Sequence, residues 1–212
     1  MDFNHLIRLL ADRLPAALPG KDAHLRMSPR PIDQRRFATK LPENLRKSGV
    51  LILFYPEERD IHFPLIKRPE YPGFHSGQIA FPGGKMEIGD ENIVQTALRE
   101  AEEEIGISGN QVKVLGQLSD LYIATSNFLV SPVVGYVEDR PALEADAHEV
   151  AKIILTDLNY LLGPEIRKEK VLALERGVKI NAPYYEIDGE VVWGATAMIL
   201  SELIQVLEFQ ER

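Results

Sequence analysis

Ile93, Ala97, Ala101 and Ile105 fall four residues apart, the spacing of one stripe along an α-helix, and Glu100, Glu103 and Glu104 crowd the face beside it. The segment from about Glu91 to Ile105 therefore reads as a helix, with Asp90 as the expected N-cap and Gly106 as the C-terminal stop. Ala97 and Ala101 are small enough to let it lie close to a neighbouring element. Three carboxylates at i, i+3 and i+4 repel one another, so the arrangement costs stability unless cations compensate, and an all-oxygen cluster of this kind suits Mg²⁺ or Mn²⁺. Arg99 stands four residues before Glu103 and can orient it through a bidentate contact. Taken alone, the acidic face reads first as a solvated surface, as most Glu-rich helix faces are. The upstream Gly83-Gly84 turn shifts the reading toward a site, because glycine lets backbone groups approach a metal or a phosphate.

The rest of the chain supplies strands for that helix to cover. Val50 to Tyr55 is a continuous apolar run and Ile61 to Lys67 a second one, joined by the polar stretch Pro56 to Asp60 as a hairpin. Further strands are expected at Val112–Leu118, Leu121–Ile123 and Val130–Val137. Glu149 to Leu162 reads as a strand leading to a short helix. A late meander follows at Lys170–Leu174, Tyr184–Ile187 and Val191–Trp193, with Asp188-Gly189 as a tight turn. Gly194 to Phe209 closes the chain as an amphipathic helix. At the other end, Leu6, Leu9, Leu10 and Leu14 mark a first helix that stops at Pro15, and Met27 to Pro42 is expected to be an extended arm without regular structure. The expected class is mixed α/β, divided into an N-terminal helix and arm over residues 1–48 and a main domain over 49–212.

Composition excludes several functions. The 212 residues carry a formal charge of −8, which counts against nucleic-acid binding, since that affinity comes mostly from Lys and Arg neutralising phosphates. There are no cysteines, which removes thiolate metal sites and cysteine nucleophiles. No stretch approaches the roughly 20 apolar residues of a spanning helix, and the charged N-terminus is unlike a signal peptide. The expectation is a soluble cytoplasmic protein with no membrane partner. A homodimer is compatible with the pattern and not required by it. Local positive charge for an anionic ligand is available between Arg26 and Lys47, where seven Lys and Arg face only Asp33 and Glu43.

The run Arg99-Glu100-Ala101-Glu102-Glu103-Glu104-Ile105-Gly106-Ile107 matches the second half of the Nudix box, Gly-x5-Glu-x7-Arg-Glu-U-x-Glu-Glu-x-Gly-U with U aliphatic, so the chain resembles the Nudix hydrolases. In the first half, counting from Gly84 places Asp90 at the acidic position one residue too far from Arg99, whereas counting back from Arg99 places Glu91 there with Lys85 at the glycine. The one-residue extension is similar to that of the coenzyme A pyrophosphatase branch, as are Leu65-Ile66-Lys67-Arg68-Pro69, Gly73 and the run from His75 to Gly84. Pro69 and Gly73 stand where that branch has serine and a second arginine. Thr125-Ser126, Pro132 to Gly135, His148-Glu149-Val150 and Trp193 to Ala197 extend the likeness over roughly Val50 to Leu203.

The resemblance implies an α/β/α sandwich with a mixed sheet, and attack of a metal-activated water on a nucleoside-diphosphate-linked substrate such as coenzyme A. Glu100, Glu103 and Glu104 would hold Mg²⁺ or Mn²⁺, and Glu103, oriented by Arg99, is the first candidate for the base with Glu149 as the alternative. Gly84, Lys67 and Arg68 are the candidate phosphate contacts; His75 reads as a positioning residue, and Trp193 and Phe128 could stack an adenine, with core packing the first reading for Trp193. The competing readings are a Nudix hydrolase for ADP-ribose, a dinucleotide or a nucleoside triphosphate, and a catalytically inactive nucleotide sensor.

Overall fold

The protein is seen here as a computed structural model that describes residues 1–38, 40–71, 76–163, 166–173 and 179–208. Two helices open the chain, α1 (Phe3–Arg13) and α2 (Lys21–Arg26), and a 3₁₀ turn follows at Gln34–Phe37. The long strand β1 (Arg46–Glu57) then runs through the middle of the main sheet. Its apolar run is continuous because both faces are covered. Leu51, Leu53 and Tyr55 enter a smaller core, while Ile52 and Phe54 enter a larger one.

Around β1 the sheet is mixed. It pairs antiparallel with β2 (Asp60–Lys67) and β4 (Gly83–Lys85), and parallel with β7 (Phe128–Tyr136) from Arg46↔Phe128 to Phe54↔Tyr136. β2 carries β3 (Ile79–Ala80) and β8 (Lys152–Asp157), and β7 carries β5 (Lys113–Gln117) and β6 (Leu121–Ile123), all antiparallel. Helix α3 (Ile93–Ile105) closes the smaller core with Ala97, Ala101 and Ile105, the stripe that periodicity picked out. On the opposite face lie α1, the short α4 (Leu158–Leu161) and the C-terminal α5 (Gly194–Glu208), so helices cover both sides of the sheet. A separate antiparallel sheet, β9 (Arg167–Ala173), β10 (Lys179–Ile187) and β11 (Glu190–Trp193), leads into α5. Among the described residues no helix is long and apolar enough to cross a membrane.

Two expectations are corrected and one unforeseen element is added. Helix α3 starts two residues later than the pattern suggested, capped by Asn92, whose side chain accepts from the Gln95 N–H; Asp90 is engaged elsewhere. The span from Met27 to Pro42 is not wholly irregular, since Asp33 accepts from the Arg35 N–H and starts the 3₁₀ turn. Helix α2 falls between Pro19-Gly20 and Pro29, too short for apolar periodicity to reveal. Leu174 and Phe209, at the ends of two expected elements, lie outside the described residues.

Buried polar contacts tie the N-terminal helices to α5. Glu202, fully buried, accepts from the Gly20 N–H at 3.0 Å and lies 2.9 Å from His24 Nε2. Removing one partner of such a pair strands a buried charge, at a cost of about 3–5 kcal/mol. Arg13 adds donors to the last carbonyls of α5, Val206 and Leu207.

The close approach of α3 to the sheet depends on Gly49. A Cβ there would stand 2.6 Å from the Ile93 carbonyl oxygen and 3.0 Å from Ala97 N. Gly49→Ala is therefore expected to lower unfolding stability in urea by about 1–3 kcal/mol, whereas Gly89→Ala, whose Cβ would meet nothing within 4 Å, stays within about 1 kcal/mol of the parent.

Candidate active site

The acidic face of α3 meets β4 at the second glycine of the turn. Gly84 pairs with Gly49 in the sheet, and a Cβ on it would overlap the Glu100 carboxylate. Glycine is thus what lets Glu100 reach the backbone of β4. One helical turn on, Glu104 is buried, and its Oε2 accepts the Gly83 N–H at 2.7 Å. Burial pushes the Glu104 carboxyl up to about 7, against the opposing pull of the Gly83 N–H and Arg68, and with further upward contributions from Glu100 and Glu149. Burial also raises the Glu100 carboxyl, with Arg99 opposing and with Glu103 and Glu149 adding to the rise.

Arg99 organises the row. Its Nε donates to Asp90 Oδ1 at 3.0 Å and its Nη2 to Asp90 Oδ2 at 3.1 Å, while Nη1 reaches Glu103 Oε2 at 2.8 Å. Nη2 also lies 2.9 Å from Glu100 Oε1 and donates to the Lys85 carbonyl. The two-pronged contact expected with Glu103 is made with Asp90 instead. Asp90 further accepts from the Thr96 hydroxyl and the Glu87 N–H, and Arg99 first among these partners holds its carboxyl down at about 2. Of the two ways of counting the acidic position, the structure selects Asp90: Glu91 is exposed, and its backbone N–H donates to the Gln95 side chain.

Glu149, far away in sequence, is brought beside this row. The loop that carries it is sewn to the end of α3, with the Glu144 N–H donating to the Ile105 carbonyl and the Asp146 N–H to the Glu104 carbonyl. The Ala151 N–H then donates to the Lys67 carbonyl and starts β8. Nothing in the helical periodicity could place Glu149 there; only its neighbours His148 and Val150 hinted at it.

Lys67 and Arg68, adjacent in sequence, do not form one subsite. Arg68 Nη1 lies 4.0 Å from Glu104 Oε1, and its Nε is buried without a hydrogen-bond partner. Lys67 instead pairs with Glu190 of β11 at 2.8 Å and borders a cavity of about 560 Å³ with Glu70, Tyr71, Ser76 and Gly77. Side chains alternate at the end of β2, as Leu65 in the larger core and Ile66 in the smaller one illustrate. Trp193 is partly buried and lines a second cavity of about 380 Å³, and Phe128 is covered by Arg46, whose guanidinium carbon stands 4.0 Å from the ring centre. Gly73 and His75 lie outside the described residues.

Among the described residues no three carboxylates or imidazoles converge into a preformed metal cage. Arg99 holds Glu100 and Glu103, and the Glu103 side chain is 56% exposed. The donor set nevertheless fits a divalent cation: Glu104 and Glu100 are desolvated carboxylates, and the Gly84 position is kept clear of side chain.

Comparison with known proteins agrees with the architecture. Residues 45–174 match the model of the NUDIX domain. A protein of Photorhabdus laumondii described as an uncharacterized Nudix hydrolase NudL is 34% identical over 170 residues, spanning 80% of this chain and 89% of its own length. A NudL of Yersinia enterocolitica is 38% identical over 144 residues, or 66% of this chain and 71% of its own. In fold the chain is similar to a MutT/nudix family protein from Enterococcus faecalis, with TM-score 0.51 and 17% identity over 80% of this chain and 66% of that one. The chain belongs to the Nudix hydrolase family.

Two outcomes are expected. Asp90→Ala removes the two-pronged acceptor of Arg99 and the closer acceptor of Thr96 and lowers stability by about 1–3 kcal/mol, while Glu91→Ala stays within about 0.5 kcal/mol; urea unfolding compares them. The raised Glu104 carboxyl binds its proton more tightly folded than unfolded, so its stabilising contribution is complete below its ordinary value of 4.5 and is lost as pH rises through about 7. The Tm of the metal-free protein should therefore decline across that window, less so in Glu104→Gln, and added Mg²⁺ should raise Tm most at the upper end, where the carboxylate is ionised.

Proposed function

We propose that this Nudix hydrolase splits a phosphoanhydride bond in a nucleoside-diphosphate-linked substrate in the presence of Mg²⁺ or Mn²⁺, and that coenzyme A or a derivative is the preferred substrate, giving 3′,5′-ADP and 4′-phosphopantetheine. The observation that carries the reading is Glu104, buried and pushed up to about 7 beside the Gly83-Gly84 backbone, with Glu100 and Glu149 near enough to raise it further. Such a group is poorly solvated as an anion and gains most from a cation. Glu100 and Glu104, with Glu103 at the exposed end of the row, are the residues to hold it. When bound, such an ion would supply charge neutralisation for the phosphates and an acidified water.

The chain's own residues do the rest. Asp90 fixes Arg99, and Arg99 fixes the rotamers of Glu100 and Glu103. Arg68, whose side chain is about a third exposed, offers the open part of its guanidinium to a phosphate beside Glu104. Of the two candidates for the base, Glu149 is favoured by its place beside Glu100 and Glu104, because Glu103 is engaged by Arg99. The coenzyme A assignment rests on the sequence from Leu65 to Gly84. Pro69 and Gly73, where that branch carries serine and arginine, favour as second reading another nucleoside diphosphate derivative with less anionic charge.

The test is hydrolysis by the purified protein with Mg²⁺ or Mn²⁺ of coenzyme A, ADP-ribose, NADH and a nucleoside triphosphate. Expected are preferred release of 3′,5′-ADP from coenzyme A, its loss in Glu100→Gln and Glu104→Gln, and a kcat fall of about 10²-fold or more in Glu149→Gln against a smaller one in Glu103→Gln. Preference for another substrate overturns the specificity alone. No metal-dependent turnover of any of the four replaces the enzyme by a nucleotide sensor.

A further inference from the structure

Two lysines on neighbouring strands face two acids on one hairpin. Lys67 and Lys152 are register partners across β2 and β8, so their side chains leave the same face of the sheet. Opposite them, Asp188 and Glu190 flank Gly189 at the turn between β10 and β11; the direct ion pairs are Lys67 with Glu190 and Lys152 with Asp188, and Glu190 also acts on Lys152 through space. The first pair occupies a distinctive place. Lys67 borders the cavity of about 560 Å³ and Glu190 the cavity of about 380 Å³, and Ser76 and Gly77 border both. The Lys67–Glu190 contact thus stands where the two cavities adjoin, with about a quarter of each side chain still open to solvent.

An ion pair that water still reaches is modest in strength, because water screens it and both side chains lose freedom to make it. A carboxylate carries one charge, whereas a phosphate group of a pyrophosphate carries more and accepts through several oxygens, so it competes well for the same ammonium. A neutral group gains nothing by displacing the carboxylate. We propose that Glu190 is a specificity-determining residue: it acts as the resident counter-anion of Lys67, and a phosphate of the incoming ligand takes its place, so that the cavity favours polyanionic ligands over less charged ones. The inference rests on the proposed function: a polyanionic substrate held beside Glu104 and Arg68 that extends into the cavity bordered by Lys67. Asp188, which holds the same hairpin through Lys152 and makes no ion pair with Lys67, serves as the internal control for loss of a charge on that hairpin.

The experiment titrates inorganic pyrophosphate into the full-length protein by calorimetry, without metal, at low and at physiological ionic strength, for the parent, Glu190→Gln, Lys67→Gln, the double variant and Asp188→Asn. Glu190→Gln is expected to tighten pyrophosphate by about two- to fivefold, the size of an exposed ion pair, with a smaller gain at higher salt. Lys67→Gln is expected to weaken binding, to abolish the effect of the second substitution in the double variant, and Asp188→Asn to leave affinity where it was. With coenzyme A as substrate, the Glu190→Gln change should fall on KM rather than kcat. Weaker binding in Glu190→Gln would assign the pair to holding the hairpin and overturn the proposal. So would an unchanged affinity, an equal gain in the Lys67→Gln background or in Asp188→Asn, or no measurable pyrophosphate binding by parent and Glu190→Gln alike. Because the titration needs no turnover, absence of hydrolysis would overturn the enzymatic reading without touching this result.

Discussion

Everything at the site depends on how closely α3 lies against the sheet. Ala97 and Ala101 bring the helix onto Gly49, and the next strand, β4, meets the helix at a glycine, so that Glu100 rests on backbone rather than on a side chain. Close packing has an electrostatic consequence. It takes Glu104 and Glu100 out of water, and a desolvated carboxylate either takes a proton or finds a cation. The same approach that builds the smaller core therefore leaves Glu104 and Glu100 to be satisfied by a proton or a cation.

A second constraint follows from crowding. Carboxylates one helical turn apart repel, and the fold answers with one guanidinium shared among Asp90, Glu100 and Glu103. Asp90 supplies the rigid end of that arrangement because it is itself fixed by Thr96 and the Glu87 N–H. The larger core on the opposite face is held by different means, apolar packing of α1 and α5 and the buried Glu202 contacts. The candidate carboxylates Glu100, Glu103 and Glu104 lie on the helix that closes the smaller core.

Much of this was legible before any coordinates. The stripe Ile93, Ala97, Ala101, Ile105 placed α3, and the apolar runs placed β1 and β2, because periodicity and burial are local properties of the chain. Legible too were Glu100, Glu103 and Glu104 as neighbours on one helix face. Asp90 was not, since it lies before the helix cap, where no periodicity says which of two adjacent acids turns toward Arg99. Helix α2 escaped for a related reason, its six residues being too few to show a stripe.

The sequence by itself determined which residues form the acidic face, which glycines precede it, and that strands of a mixed α/β fold surround it, because each depends on spacing along one element. Tertiary structure alone decided that Glu149 joins the row, that Arg99 grips Asp90, and that Lys67 parts from Arg68 to meet Glu190. Those contacts join groups on separate elements, and their partners are chosen by how the elements pack, which no spacing along the chain encodes.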